Sequence, residues 1–240
     1  MSRNELGLRR LVVAGTDLER GAVELSRAQL HHVKVVLRLR DGAGLELLDG
    51  EGGRALGRLE DEIVRITSPV ERRARPRPWF WVLQCAGKGD KVERVLQQAA
   101  ELGVARFVVV ESARTLHRGG DRLDRYRAIA EDACRVSGSG FLMHVEGPLE
   151  LDAARGLPPD SALKLLLHVQ GGLHMTDVPA NPPADVAVLV GPEGGFEASE
   201  VERSQEEGYL PLRLGDGVLR TETAAIAAIA ALRFGRWCAS

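Results

Sequence analysis

Residues 189–202 read LVGPEGGFEASEVE, and residues 212–232 read LRLGDGVLRTETAAIAAIAAL. Each runs from a short apolar segment through a glycine-bearing loop into a helix. Phosphate is the usual occupant of such a turn, because bare N–H groups and the helix dipole face it. Here Glu193 stands in the first loop and Glu222 follows the second, and both would repel a phosphate. Neither GxGxxG nor a Gly-Lys-Ser/Thr run is present, so the dinucleotide fingerprint and the P-loop are excluded. The glycines would let backbone approach a flat ring closely, and a neutral or cationic ligand suits the carboxylates better. Thr221 or Thr223 is a natural N-cap for the second helix, and Glu222 in its first turn complements the dipole. Arg220 is different: a cation just before a helix N-terminus is disfavoured there. Pairing with Glu193 or gripping a substrate would account for it.

Two basic groups stand apart from these loops. Lys88-Gly89-Asp90-Lys91 lies between a strand and a helix, and Arg114, His117, Arg118, Arg122, Arg125 and Arg127 surround Gly119-Gly120. Either is a solvated surface loop or a phosphate-contacting face for RNA. The 240-residue chain has a net charge of −2, which argues against wholesale coating by nucleic acid, but the charge is uneven. Residues 1–78 carry 15 Lys and Arg against 12 Asp and Glu, whereas the rest carries 17 against 22. Most of the cations are arginines, able to fork two hydrogen bonds onto a phosphate.

The elements that must position these residues fall into two texts. From Arg10 to Ile66, short strand-like runs (LVVAG, VVLRLRDGAGLELLDG, GRLEDEIVRI) are broken by Asp-Gly and Gly-Gly turn signals, and predict a small antiparallel barrel or curled sheet. HHVKVVLRLRDG opens with a short helical turn before its strand. SPVERRARPRP, with three prolines, is a linker or an exposed edge. Past Pro78, WFWVLQCA, RFVVVES, ALKLLLHV and DVAVLVG read as buried strands. DKVERVLQQAAELGV and LDRYRAIAEDACRVSG read as helices, the first with Val92, Val95, Leu96, Ala99 and Leu102 on one face and Gly103 at its end. Alternating strand and helix predicts an α/β sheet layered with helices. Ile226, Ile229 and Leu232 give the last helix one apolar face among alanines, which implies close burial against chain or partner.

Cys85, Cys134 and Cys238 show no CxxC or Cys/His spacing, and no histidine pairs with carboxylates, so neither a disulfide framework nor a metal site is expected. No apolar run reaches the ~20 residues of a membrane span, and MSRNELGLRR lacks a signal peptide's apolar stretch, so a cytoplasmic protein is expected.

Together, GPEGGFEASEVE and LRLGDGVLRTETA resemble the two signature loops of the RsmE family. KGDKVERVLQQAAELGV, ESARTLHR and HHVKVVLRLRDG resemble that family's other segments in the same order, so the likeness spans nearly the whole chain. The family belongs to the SPOUT superfamily and transfers methyl from S-adenosylmethionine to N3 of a uridine in 16S ribosomal RNA of the small subunit. The resemblance implies an α/β fold in two domains: a PUA-like, RNA-binding β-barrel over residues 1–72, and a SPOUT methyltransferase domain with a deep C-terminal trefoil knot over 73–240. It also implies a homodimer.

The cofactor pocket would be formed by Leu167 and His168, by Gly191, Pro192, Glu193 and Gly194, and by Leu214, Gly215, Val218, Leu219 and Thr223. Arg220 would stabilise charge on the uracil, with Glu222 as a second catalytic candidate. Arg38, Lys88, Lys91, Arg114 and Arg118 would contact RNA. The chain departs from the family at Val136-Ser137 and Ser139, where a Gln-Ser pair and an Arg are usual, and at HVQGGLH, where an acidic residue is usual. Alternatives are a SPOUT enzyme acting on another ribosomal or transfer RNA position, and a non-catalytic RNA-binding or ribosome-assembly factor on the same fold.

Overall fold

The computed structural model describes residues 9–115, 122–170 and 172–237. The chain divides into two compact units: Met1–Arg75 with Glu131–Leu142, and Pro76–Ala130 with Met143–Ser240.

In the first unit the strands lie in the order Arg9–Val12, Gly44–Leu48, Gly53–Glu60, Ile63–Ile66, Ala22–Glu24. All neighbours along this path are antiparallel except the first pair, which is parallel, a departure from the all-antiparallel expectation. Inward residues alternate along Gly53–Glu60, and Leu11, Val23, Val33, Leu45, Leu47, Leu59 and Val64 form the core. The Asp-Gly signal at 49–50 is a turn held by its own side chain. Asp49 Oδ1 accepts from the N–H groups of Glu51 (2.8 Å) and Gly53 (2.7 Å). The SPVERRARPRP stretch pairs at Glu71–Arg72 along the Gly53 end of its neighbour, an exposed edge.

One expectation fails here. The VVLRL run is not a strand: an α-helix over Arg27–His31 continues as a π-helix over His32–Val36, and the strand begins only at Gly44. Ser26 and Gln29 form a reciprocal capping box that starts the helix, and Arg38, at φ 54°, ends the helical run. Val35 and Val36 are left exposed on the helical stretch.

In the second unit seven strands, all parallel, lie in the order Leu173–His174, Leu210–Arg213, Leu163–Leu167, Asp185–Val190, Trp79–Cys85, Arg106–Glu111, His144–Glu150. Asp185–Val190 is buried along its whole length, as a strand covered on both faces must be. His144–Glu150 escapes sequence reading because Gly147-Pro148 interrupts a polar HVEGPLE run; the structure tolerates it as the edge strand.

The helix Lys91–Glu101 buries Val92, Val95, Leu96, Ala99 and Ala100, and its chain leaves through Gly103 at φ 77°. The last helix, Thr221–Ala230, packs against that helix and against the strands Trp79–Cys85 and Asp185–Val190. Its buried residues are Ala225, Ala228 and Ile229, with Leu232 buried in the π-helical turn that follows; Ile226 is only half-buried. The small side chains, not an isoleucine row, form the seat, because alanine lets backbones approach closely.

Candidate functional site

Three strand ends in the second unit, at Leu167, Val190 and Arg213, open into loops on the carboxyl edge of the parallel sheet, where open α/β sheets bind their ligands. Between these loops lies a pocket of about 720 Å³. Ten of the eleven residues expected at the cofactor line it: Leu167, His168, Gly191, Pro192, Glu193, Gly194, Leu214, Gly215, Val218 and Leu219. Thr223 does not; it is exposed, and Ala224 lines the pocket instead. The helix period explains the exchange, since residues 221 and 224 share a face and 223 turns away.

Each loop is held by its own chemistry. In the first, His168 N donates to Leu212 O at 3.1 Å, and the His168 ring Nδ1 sits between the N–H and C=O of Gln170 at 3.2 and 2.9 Å. In the second, Gly195 N donates to Pro192 O at 2.9 Å, and Phe196 folds back so that its ring lies against Gly191, where an added Cβ would be 3.0 Å from the ring. In the third, Arg213 Nε donates to Gly215 O at 2.9 Å while its guanidinium pairs with Asp216.

The 112–115 loop is tied to the second of these. Glu200, a buried carboxylate, accepts from Ala113 N at 2.9 Å and from Glu197 N at 2.8 Å, and Arg114 donates to Gly194 O at 3.0 Å.

The carboxylates that raised the question of a cationic ligand are compensated. Glu193 Oε1 accepts from Lys91 Nζ at 2.9 Å and from Lys88 N at 3.3 Å. Partial burial pushes the Glu193 carboxyl up, but these donors outweigh it and hold it below its ordinary value. The same hydrogen bond to Glu193 raises Lys91. Around the pocket stand Lys91, Arg114, Arg213 and Arg220 against Glu193 alone, so the lining is not acidic.

Arg220 is exposed and lines the pocket. It is itself the N-cap of the last helix, with φ −64° and ψ 149° and no side-chain capping bond, which displaces the threonines expected there. Pairing with Glu193 does not occur because Lys91 holds that carboxylate, and among the described residues the Arg220 side chain has no hydrogen-bond or ion-pair partner. Glu222 is outside the lining; its Oε2 lies 3.8 Å from Lys91 Nζ.

Of the residues expected at RNA, Lys91 and Arg114 line the pocket, Lys88 is exposed beside it, and Arg38 is exposed in the first unit; Arg118 lies outside the described residues. Sequence reading missed Val169, Gln170, Phe196, Arg213, Gly217 and Thr221 as pocket lining. For Phe196 and Gly217 adjacency to the glycine loops was the available signal, whereas Thr221 was hidden by its plausibility as a cap.

Comparison with known proteins agrees with this fold. A model of the RNA methyltransferase domain matches residues 75–233, and one of the RNA methyltransferase PUA domain matches residues 25–67. A ribosomal RNA small subunit methyltransferase E from Synechocystis is 30% identical, over 92% of this chain and 76% of its own length. One from Mycobacterium bovis is 31% identical, over 87% and 86%. The crystal structure of the Neisseria gonorrhoeae ribosomal RNA small subunit methyltransferase E bound to S-adenosyl methionine superposes with a TM-score of 0.85 at 30% identity, covering 94% of this chain and 96% of that one. With both domain models matched and full-length likeness on each side, the chain belongs to the ribosomal RNA small subunit methyltransferase E family.

Proposed function

We propose that this protein transfers methyl from S-adenosylmethionine to N3 of a uridine in the 16S ribosomal RNA of the small subunit. The observation that carries the reading is the pocket built by three strand-end loops, in a chain alike over its whole length to a family member solved with S-adenosyl methionine. The residues fit that cofactor. Leu167, Leu214, Val218 and Leu219 offer apolar walls for an adenine, and the glycine loops offer exposed backbone N–H and C=O groups. At Gly217 a side chain would meet open space, so the loop leaves room beside it.

When bound, the cofactor supplies a sulfonium methyl open to in-line attack. The chain's own residues orient the two reactants, which accounts for much of such a rate. Uridine N3 becomes nucleophilic as its proton passes to solvent water, and the charge left behind spreads to the ring oxygens. Arg220, exposed in the pocket lining and with no side-chain partner among the described residues, is the group to stabilise that charge. Glu193 is bound to Lys91 and held ionised, which suits it to orienting that lysine more than to taking a proton. Glu222, beside Lys91 and outside the pocket, supports Lys91 in this reading.

The remaining parts belong to the same proposal. Residues 1–72 bind RNA and residues 73–240 catalyse, a division supported by the compact unit that ends at Arg75 and takes in Glu131–Leu142. Arg38, Lys88 and Arg118 contact RNA, with Arg114 at the pocket rim. The C-terminal knot is favoured by strand Leu210–Arg213 lying between Leu163–Leu167 and Leu173–His174, so that the chain leaving Leu167 must pass that strand to reach Leu173. The protein acts as a homodimer in the cytoplasm, where ribosomal subunits are made; among the described residues no helix is long and apolar enough to cross a membrane.

The test is methyl transfer from labelled S-adenosylmethionine to unmodified small subunits, followed by nucleoside analysis. Label in N3-methyluridine of 16S RNA is expected. Label in another nucleoside, or only in transfer RNA, overturns the reading.

A further inference from the structure

Thr221 is the first residue of the last helix, where a threonine ordinarily serves the helix's own end. Its hydroxyl does something else. It lies 2.6 Å from Gly191 O and 2.9 Å from Gln84 Nε2. The proton assignment is forced: a carbonyl only accepts and an amide nitrogen only donates, so Thr221 donates to Gly191 and accepts from Gln84. Gln84 is itself fixed. It is 1% exposed, its Nε2 also donates to Cys85 O at 3.1 Å, and it stands in register with Val190 on the neighbouring strand. One hydroxyl therefore joins the sheet, the first residue of the Gly191–Phe196 loop, and the start of the helix that follows the third loop.

This junction controls Arg220 in particular. The Arg220 side chain has no partner among the described residues, so only backbone places it. That backbone turns from extended at Arg220 into helix at Thr221, and among the described residues the internal bonds holding the turn beyond the helix ladder are the two made by the Thr221 hydroxyl. We propose that Thr221, seated on Gln84, is a positioning residue for methyl transfer. It keeps the two signature loops in register, and through the 220–221 backbone it holds Arg220 over the pocket. The proposal rests on the methyltransferase reading above.

The experiment compares Thr221→Val, which keeps the shape and removes the hydroxyl, with Thr221→Ser, which keeps it. Gln84→Met, which leaves the Thr221–Gly191 bond in place, is the third variant. S-adenosylmethionine affinity, RNA affinity, single-turnover methyl transfer at saturation and thermal unfolding are each measured. Thr221→Val should weaken cofactor binding and slow the saturated transfer step by about tenfold or more each, with RNA affinity kept, since small misplacements of reacting groups cost rates of this order. Thr221→Ser should restore both. Gln84→Met should move both in the same direction by a smaller factor, and it decides the matter if Thr221→Val does not fold.

A folded Thr221→Val with lowered melting temperature but normal cofactor affinity and turnover overturns the proposal, as does a Gln84→Met variant indistinguishable from wild type when Thr221→Val fails to fold. Failure of wild-type protein to bind the cofactor or methylate RNA would instead overturn the underlying reading.

Discussion

Replacing Arg220 with lysine isolates the guanidinium from the charge. Arg220 is exposed, lines the pocket and its side chain makes no hydrogen bond or ion pair with the described residues, so its replacement breaks no side-chain contact inside the fold. Stability should stay within about 0.5 kcal/mol of wild type, as for surface changes without a partner. For a chain of this size that is a melting shift of about 2 °C or less. The lysine also keeps a positive charge near Lys91, whose pairing with Glu193 at 2.9 Å is left undisturbed. What is lost is the planar fork, which can hold two acceptors at fixed angles where an ammonium is a point charge. If that fork stabilises charge on the uracil as N3 loses its proton, transfer should slow on the order of 100-fold, about 2.7 kcal/mol of barrier. The assay is single-turnover methyl transfer at saturating RNA and S-adenosylmethionine, with each affinity measured separately by calorimetry. Normal turnover would refute the charge-stabilising role. Loss of RNA affinity with an intact rate at saturation would make Arg220 a binding residue.

Two further outcomes follow from the same geometry. Glu200→Gln places an amide N–H₂ against one of two backbone N–H groups that the carboxylate now accepts from at 2.8 and 2.9 Å. The cost should be about 1–3 kcal/mol, read as a melting temperature lower by roughly 2–12 °C. The pH dependence of the Lys91–Glu193 pair has a defined sign. Glu193 is held below its ordinary value of 4.5, so its contribution is present above that pH and fades as pH falls through the lowered value. Lys91 is raised above 10.5, so its contribution is complete below that pH and fades only beyond it. Cofactor affinity should therefore show no step from this pair between about pH 5 and 9, and Lys91→Met should move the acid-side loss to higher pH; a wild-type step near neutrality that Lys91→Met abolishes would contradict the assignment.

Much of the fold was legible because its signals are local. Val186–Val190 and Trp79–Leu83 are unbroken apolar runs, and Val92, Val95, Leu96 and Ala99 repeat at helical spacing, so burial could be read from text alone. What sequence could not supply were outcomes decided by competition. VVLRL has strand composition, but the Ser26–Gln29 capping box starts a helical run that takes in Val35 and Val36. His144–Glu150 lacks strand composition, yet an open edge beside Arg106–Glu111 accepts it. At the site, glycine loops marked the pocket, but side-chain direction did not follow from spacing. Thr223 and Thr221 are equally good caps on paper, and only the close approach of Gly191 and Gln84 makes Thr221 the one that faces inward.

The same competition sorts the basic residues, and this bears on how the protein meets RNA. Read from sequence, every Lys and Arg near Gly89 and Gly119 is an equal candidate for phosphate. In the structure Lys91 is held by Glu193, Arg125 by Glu93 at 2.7 Å, Arg94 by Asp90 at 2.9 Å, and Arg213 by Asp216. A cation already paired releases few counterions when RNA arrives, because its partner must first be exchanged for a phosphate. On the proposed function the salt dependence of binding should then report the cations left over, Lys88 among them, and not the arginine content of the loops. On this argument neutralising Lys88 lowers the salt slope by close to one phosphate's share, whereas neutralising Arg94 or Arg125 leaves it almost unchanged. The pairs keep the loops in shape, and on the proposed function the unpaired cations are the ones expected to meet phosphate.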